Sequence, residues 1–168
     1  RNIIKISING DSFTCGTYNG IKVIFHDKDG FINATDMCQQ FNKRFRKIFE
    51  NHSFQQYFKT FKALYYACPE KGGQEKQPIY QLNKGISTKY NELRGTYVDK
   101  RLINYIAVWA SPEYAVYVGL VMDSIDEKLH ETFKDKQLED TVENAKPVFI
   151  NIVESLAPSI NPAFEEQF

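Results

Sequence analysis

Two Asn-Gly dipeptides ten residues apart, Asn9-Gly10 and Asn19-Gly20, constrain this chain more than any other feature. Asn-Gly supplies two successive residues that tolerate positive φ, which a two-residue hairpin turn requires. The flanks fit that reading. Ile4, Ile6 and Ile8 share one parity before the first turn, residues 12–18 form a second run, and IKVIF at 21–25 forms a third. The third run leads into Asp27-Lys28-Asp29-Gly30, so the first 32 residues predict a small antiparallel meander. Asp27, Asp29, Gly30, Ile32 and Asp36 also fall at positions 3, 5, 6, 8 and 12 of a calcium-loop pattern. Phe25 would then occupy position 1, where it cannot ligate, so a hairpin turn is the expected reading.

At FINATDMCQQF the period changes. Asn33 or Thr35 is placed to cap a short helix, with Ala34, Met37, Cys38 and Phe41 on one face. The next segment, KRFRK at 43–47, sets four cations around one Phe. Phe45, Ile48 and Phe49 continue an apolar stripe, so Phe45 is expected to anchor inward while Lys43, Arg44, Arg46 and Lys47 point out. Ser53 followed by Gln56 gives a capping-box pattern for the following helix. Phe54, Tyr57, Phe58, Phe61, Leu64 and Tyr65 then recur at helical spacing and predict a core stripe. The opposite face carries Gln55, Gln56, Lys59 and Lys62, residue types that neutralise phosphate and read base edges.

After a break at Pro69, Gly72 and Gly73, PIYQL (78–82) and GTYV (95–98) predict a hairpin. Its long connection bears Lys84, Lys89 and Arg94. Asp99 is placed to cap a helix whose apolar face holds Leu102, Ile103, Ile106, Trp109 and Ala110, with Trp109 expected in the core. Ser111-Pro112-Glu113 restarts a helix running to about Glu131. Residues 132–168 are acidic, with one short amphipathic stretch, PVFINIVESL. The expected organisation is a domain over 1–131 and an acidic tail or linker over 132–168.

Net charge is zero, but residues 43–101 carry 13 cations against 5 anions, and residues 102–168 carry 4 against 12. A basic middle with an acidic end is the layout of a nucleic-acid module with an acidic appendage. The same dipole could join copies head to tail as a homodimer, or let the tail compete with DNA. Three widely spaced cysteines form neither a metal motif nor a disulfide framework. No run near 18 apolar residues and no signal-peptide pattern occurs, so a soluble, trimmed, intracellular chain is expected. His26, His52 and His130 fall in different elements, and no phosphate-cradling Gly loop or ligand cluster accompanies them. No catalysis, cofactor, metal or small-molecule substrate is expected.

Asn33-Ala34-Thr35, Lys43-Arg44-Phe45, Gly95-Thr96-Tyr97-Val98, Trp109 and Ser111-Pro112-Glu113-Tyr114 stand in the order and spacing of a KilA-N domain. The chain resembles that family over roughly residues 12–131, with Tyr97 where Trp is usual and Asp99-Lys100 in place of His-Pro. KilA-N domains occur in large DNA viruses, phages and some protists and are similar to fungal APSES domains. The resemblance implies an α+β fold, an N-terminal antiparallel meander followed by helices with a helix-turn-helix and a β-hairpin wing. It implies binding of double-stranded DNA at a viral replication site in the cytoplasm or in the nucleus. Modest sequence specificity is expected, with Gln55 and Gln56 as base readers. The alternative is a protein-interaction module built on the charge asymmetry.

Overall fold

The computed structural model describes residues 4–67, 76–83, 88–137 and 141–151. It divides between Ser111 and Pro112 into two compact units.

The first unit is an α+β domain. β1 (Ile4–Ile8), β2 (Asp11–Tyr18), β3 (Ile21–His26) and β4 (Phe31–Asn33) form the expected meander. Asn9, Gly10, Asn19 and Gly20 all take positive φ, so each dipeptide makes a turn of the type that Asn-Gly favours. β5 (Ile79–Leu82) and β6 (Gly95–Val98) pair antiparallel as the second hairpin. That hairpin is not set apart from the meander. β6 pairs with β4, placing Ile32 opposite Val98 and Asn33 opposite Tyr97. Among the described residues the strands therefore make one sheet in the order β1-β2-β3-β4-β6-β5.

Alternation along these strands fills both faces of the sheet. On one, Phe13, Ile24, Leu93 and Tyr97 form a buried cluster with Ile6, Phe31, Tyr80 and Tyr90 packed against it. Leu93 and Tyr90 come from the long connection of the second hairpin, which folds as 3-10 turns over Thr88–Leu93. Val23, Phe25, Ile32 and Val98 point to the other face, where α1 (Ala34–Gln39) covers β3 and β6 and α3 (Ile103–Ala110) packs on α1. His26 is buried within the first face. Its Nε2 lies 3.0 Å from Asp11 Oδ1 and its Nδ1 2.7 Å from the Tyr80 hydroxyl, which donates to Asp29 at 2.7 Å. The Asp27–Gly30 turn is thus cross-linked to edge strand β5. Asp27 accepts from Ser12 and Thr14, and these bonds hold its carboxyl below the ordinary carboxylate range despite burial, the largest influence, which pushes upward.

Three local expectations need correction. α2 (His52–Tyr65) is capped by Asn51, whose Oδ1 accepts from Phe54 N, and not by Ser53. A capping-box spacing loses to an Asn that already has extended backbone one residue before the helix. Along α2, only Phe54 and Phe61 of the stripe are buried; Tyr57, Leu64 and Tyr65 are exposed. α2 has 14 residues and α3 has 8, so α3, ~12 Å long, cannot cover a helix of ~21 Å. Tyr105 reaches Tyr57 at 4.4 Å and the Arg101 guanidinium lies 4.0 Å over the Tyr65 ring. Trp109 is half-buried, with Lys43 over its ring at 5.6 Å, and Ala107 takes the core position on α3.

Asp99 caps the 3-10 turn Lys100–Leu102 that leads into α3, rather than α3 itself, and does more. It accepts from Arg101 N, from Arg101 Nε and Nη2, and from the Tyr66 hydroxyl at 2.6 Å. One carboxylate thereby joins the ends of β6 and α2 to the turn that precedes α3.

In the second unit, α4 runs Pro112–Lys136, five residues past the expected end, and residues 142–151 are helical. The first five residues of PVFINIVESL lie in that segment, and the remainder falls outside the described residues. Among the described residues no helix is long and apolar enough to cross a membrane.

Candidate nucleic-acid interface

The basic segment forms a 3-10 helix, Phe45–Glu50, between α1 and α2. Phe45 and Ile48 are buried, while Lys43, Arg44, Arg46 and Lys47 are exposed. Buried positions three apart match the three-residue turn, so the intervening cations face solvent. The apolar anchors thus present the charges.

The second hairpin meets this segment through the start of α1. Asn33 Oδ1 accepts from Asp36 N and caps α1, while its Nδ2 donates to the carbonyls of Glu92 and Arg94 at 3.1 Å each. Thr35 Oγ1 accepts from Thr96 N at 3.0 Å. Between them lies Gly95 with φ of +144°, where an added Cβ would sit 2.7 Å from Asn33 Oδ1 and 2.8 Å from Thr35 Cβ. Only glycine fits that approach. The Asn-Ala-Thr and Gly-Thr motifs, sixty residues apart, are therefore two halves of one contact.

That contact places the hairpin beside the basic segment across a cleft of about 950 Å³. Lys43, Arg44, Arg46 and Lys47 line one side, and Arg94 with Gln81, Asn83 and Asn91 lines the other. Asp36, Glu50 and Glu92 also face it. Lys47 pairs with Glu50 at 3.2 Å, both well exposed, so the pair is weak and readily exchanged for a phosphate.

The other expected site residues lie elsewhere. Gln55, Gln56, Lys59 and Lys62 are on α2 and do not line the cleft. Gln55 Nε2 donates to the Phe49 carbonyl at 2.6 Å, so its amide is engaged by the basic segment's own backbone. Lys62 lies 5.0 Å over the Phe58 ring. Lys89 lies 5.5 Å over the Tyr90 ring and is outside the cleft lining. Lys84 falls outside the described residues. Gln81, Asn83, Asn91, Asp36 and Glu92 were not foreseen. The alternation Tyr80-Gln81-Leu82 held a signal, since Gln81 must point away from the side that its two neighbours share.

A family model for the KilA-N domain matches residues 16–128. The chain belongs to the KilA-N family. Three KilA-N domain-containing proteins of Acanthamoeba polyphaga mimivirus are among its relatives. One is 31% identical over 128 residues, 73% of this chain and 33% of the relative. A second is 29% identical over 123 residues, 73% and 34% of the two chains. A third is 32% identical over 119 residues, 71% and 24%. This KilA-N chain thus spans a quarter to a third of the length of the relatives it matches. No solved structure matches it. The matched region includes both sides of the cleft, from Thr35 to Thr96.

Asp36 ties the cleft to pH. Burial, and then the Glu92 carboxylate, raise its carboxyl above the ordinary value, against a hydrogen bond from Gln40. A raised carboxyl is penalised when ionised, so the fold is relieved as pH falls through that raised value. A polyanion in the cleft would raise it further. For a polyanion bound in the cleft, affinity should therefore increase as pH drops through the Asp36 titration. Asp36→Asn should remove that dependence and tighten binding at neutral pH by roughly five- to tenfold, the worth of ~1 kcal/mol of relieved repulsion. Anisotropy titrations across pH check both; a pH response unchanged in Asp36→Asn would contradict the assignment.

Proposed function

We propose that this chain binds double-stranded DNA, with the cleft between the Phe45–Glu50 segment and the β5–β6 hairpin as its main contact surface. The observation that carries the reading is the convergence of Lys43, Arg44, Arg46 and Lys47 with Arg94 around one opening. Family membership supports it. Cations spaced along a backbone-sized cleft neutralise phosphates and release counterions, which supplies affinity without reading sequence. The amides of Gln81, Asn83 and Asn91 have donor and acceptor pairs suited to base edges. α2's outward Gln56, Lys59 and Lys62 are a second candidate surface, as the sequence suggested.

The test compares Arg94→Gln with the pair Lys59→Gln/Lys62→Gln in fluorescence anisotropy with a labelled duplex, with thermal melts as controls. Arg94→Gln should weaken binding several-fold, and the α2 pair should have the smaller effect. The reverse order would move the contact surface to α2. A chain that ignores duplex DNA but associates with itself only at low salt would favour the charge-asymmetric interaction module instead.

A further inference from the structure

The last three residues of the β5–β6 connection, Glu92, Leu93 and Arg94, are held through their carbonyls by two fully buried side chains. Asn33 spends both Nδ2 hydrogens on the carbonyls of Glu92 and Arg94. Tyr97 donates its hydroxyl to the carbonyl between them, that of Leu93, at 2.7 Å. The Arg94 N–H donates to the Asn91 carbonyl at 3.1 Å, so Arg94 is fixed through both of its backbone polar groups. Leu93 is itself fully buried, between exposed Glu92 and half-buried Arg94, which both line the cleft.

The strand ladder does not supply this hold. β5 and β6 pair from Ile79 with Val98 to Leu82 with Gly95, and the clamp begins where that register stops. Neither buried donor has water as a substitute partner, so shifting residues 92–94 would strand a polar group in the core. What the clamp fixes is a cation at the cleft. An arginine on a fixed backbone loses less freedom on meeting a phosphate than one on a free loop, and the difference appears as affinity. Asn33 Oδ1 meanwhile accepts from Asp36 N, so one amide ties the Arg94 backbone to the start of α1, the helix that precedes the basic segment.

We infer that Asn33 and Tyr97 are positioning residues for DNA binding: by clamping the three carbonyls of Glu92, Leu93 and Arg94 they hold the Arg94 guanidinium where it meets a backbone phosphate. Neither side chain touches the duplex. The inference rests on the DNA-binding reading of the cleft, and it assigns to two buried residues an effect on one particular phosphate contact. A purely structural role would weaken every contact of the domain alike.

Double-mutant cycles in anisotropy titrations of the whole chain with a labelled duplex test this. Tyr97→Phe removes only the hydroxyl, and Asn33→Ser keeps an oxygen to cap α1 while removing both amide donors. In wild type, Arg94→Gln should weaken binding several-fold and flatten the salt slope by about 0.9. In Tyr97→Phe or Asn33→Ser it should change affinity less than about twofold, because the contact is already lost, while Arg46→Gln keeps its full effect in every background. Circular dichroism melts confirm that each variant is folded; should Asn33→Ser fail to fold, Tyr97→Phe decides alone. An Arg94→Gln effect of equal size in wild type and in the clamp variants would overturn the inference and leave the DNA-binding reading standing. So would an Arg46→Gln effect that shrinks along with that of Arg94→Gln, since that is general loosening. A wild type that ignores the duplex, or in which Arg94→Gln costs nothing, would overturn the reading of the cleft and this inference with it.

Discussion

Phe45→Ala should lower the unfolding free energy of the domain by about 3–5 kcal/mol, the range for truncating a buried Phe. The ring is 3% exposed and packs edge-on to Phe49 at 5.4 Å. Its sequence neighbours Arg44 and Arg46 are both exposed and do not fill the space. The removed ring would leave a cavity in a segment whose other anchor, Ile48, is itself fully buried. Phe49 is 40% exposed, so Phe49→Ala should cost clearly less. Denaturant titrations of the two variants check the order. A Phe45→Ala variant as stable as wild type would mean that the basic segment is held by something other than its ring.

The pattern of what could be read from the chain follows from how local each cause is. The Asn-Gly turns and the alternation around them act within a few residues, and β1–β4 formed as their pattern required. The Ile79–Leu82 and Gly95–Val98 strands were legible for the same reason. Docking of that hairpin onto β4 was not, because it depends on Asn33 and Thr35 gripping Gly95 from sixty residues away. Helix α2 was legible as amphipathic, but amphipathicity shows which side is apolar and not how much neighbouring structure covers it. Tyr57, Leu64 and Tyr65 therefore stand exposed on a face that spacing alone assigns to the core. The cleft was half legible. The cations at 43–47 are local and stood out by composition, whereas Arg94, Gln81 and Asn91 join them only through the fold. Asp36 looked like a helix-start residue and is one, yet it also lines the cleft with the cations.

The largest functional effect should come from the cations themselves. In the triple variant Arg44→Gln/Arg46→Gln/Lys47→Gln, the proposed DNA contact predicts that duplex affinity near ~0.1 M salt falls on the order of 100-fold, the loss expected for three phosphate contacts and their released counterions. Every duplex should be affected by a similar factor, because phosphate contacts carry no sequence information. Stability should change little. These side chains are exposed, and the one ion pair among them, Lys47 with Glu50, is a surface pair of small worth. Lys43 is left in place because it also lies over the Trp109 ring, so its replacement would mix two effects. The contrast with Phe45→Ala separates the anchoring of the segment by its ring from the phosphate-binding role proposed for its cations.

The most direct measurement is the slope of log affinity against log salt concentration for one duplex, taken for wild type and the triple variant side by side. Each phosphate contact adds about 0.9 to that slope, so the variant's line should be shallower by about 2.7 and approach the wild-type line as salt rises. Two parallel lines, or a wild-type slope near zero, would contradict a phosphate-binding role for residues 43–47.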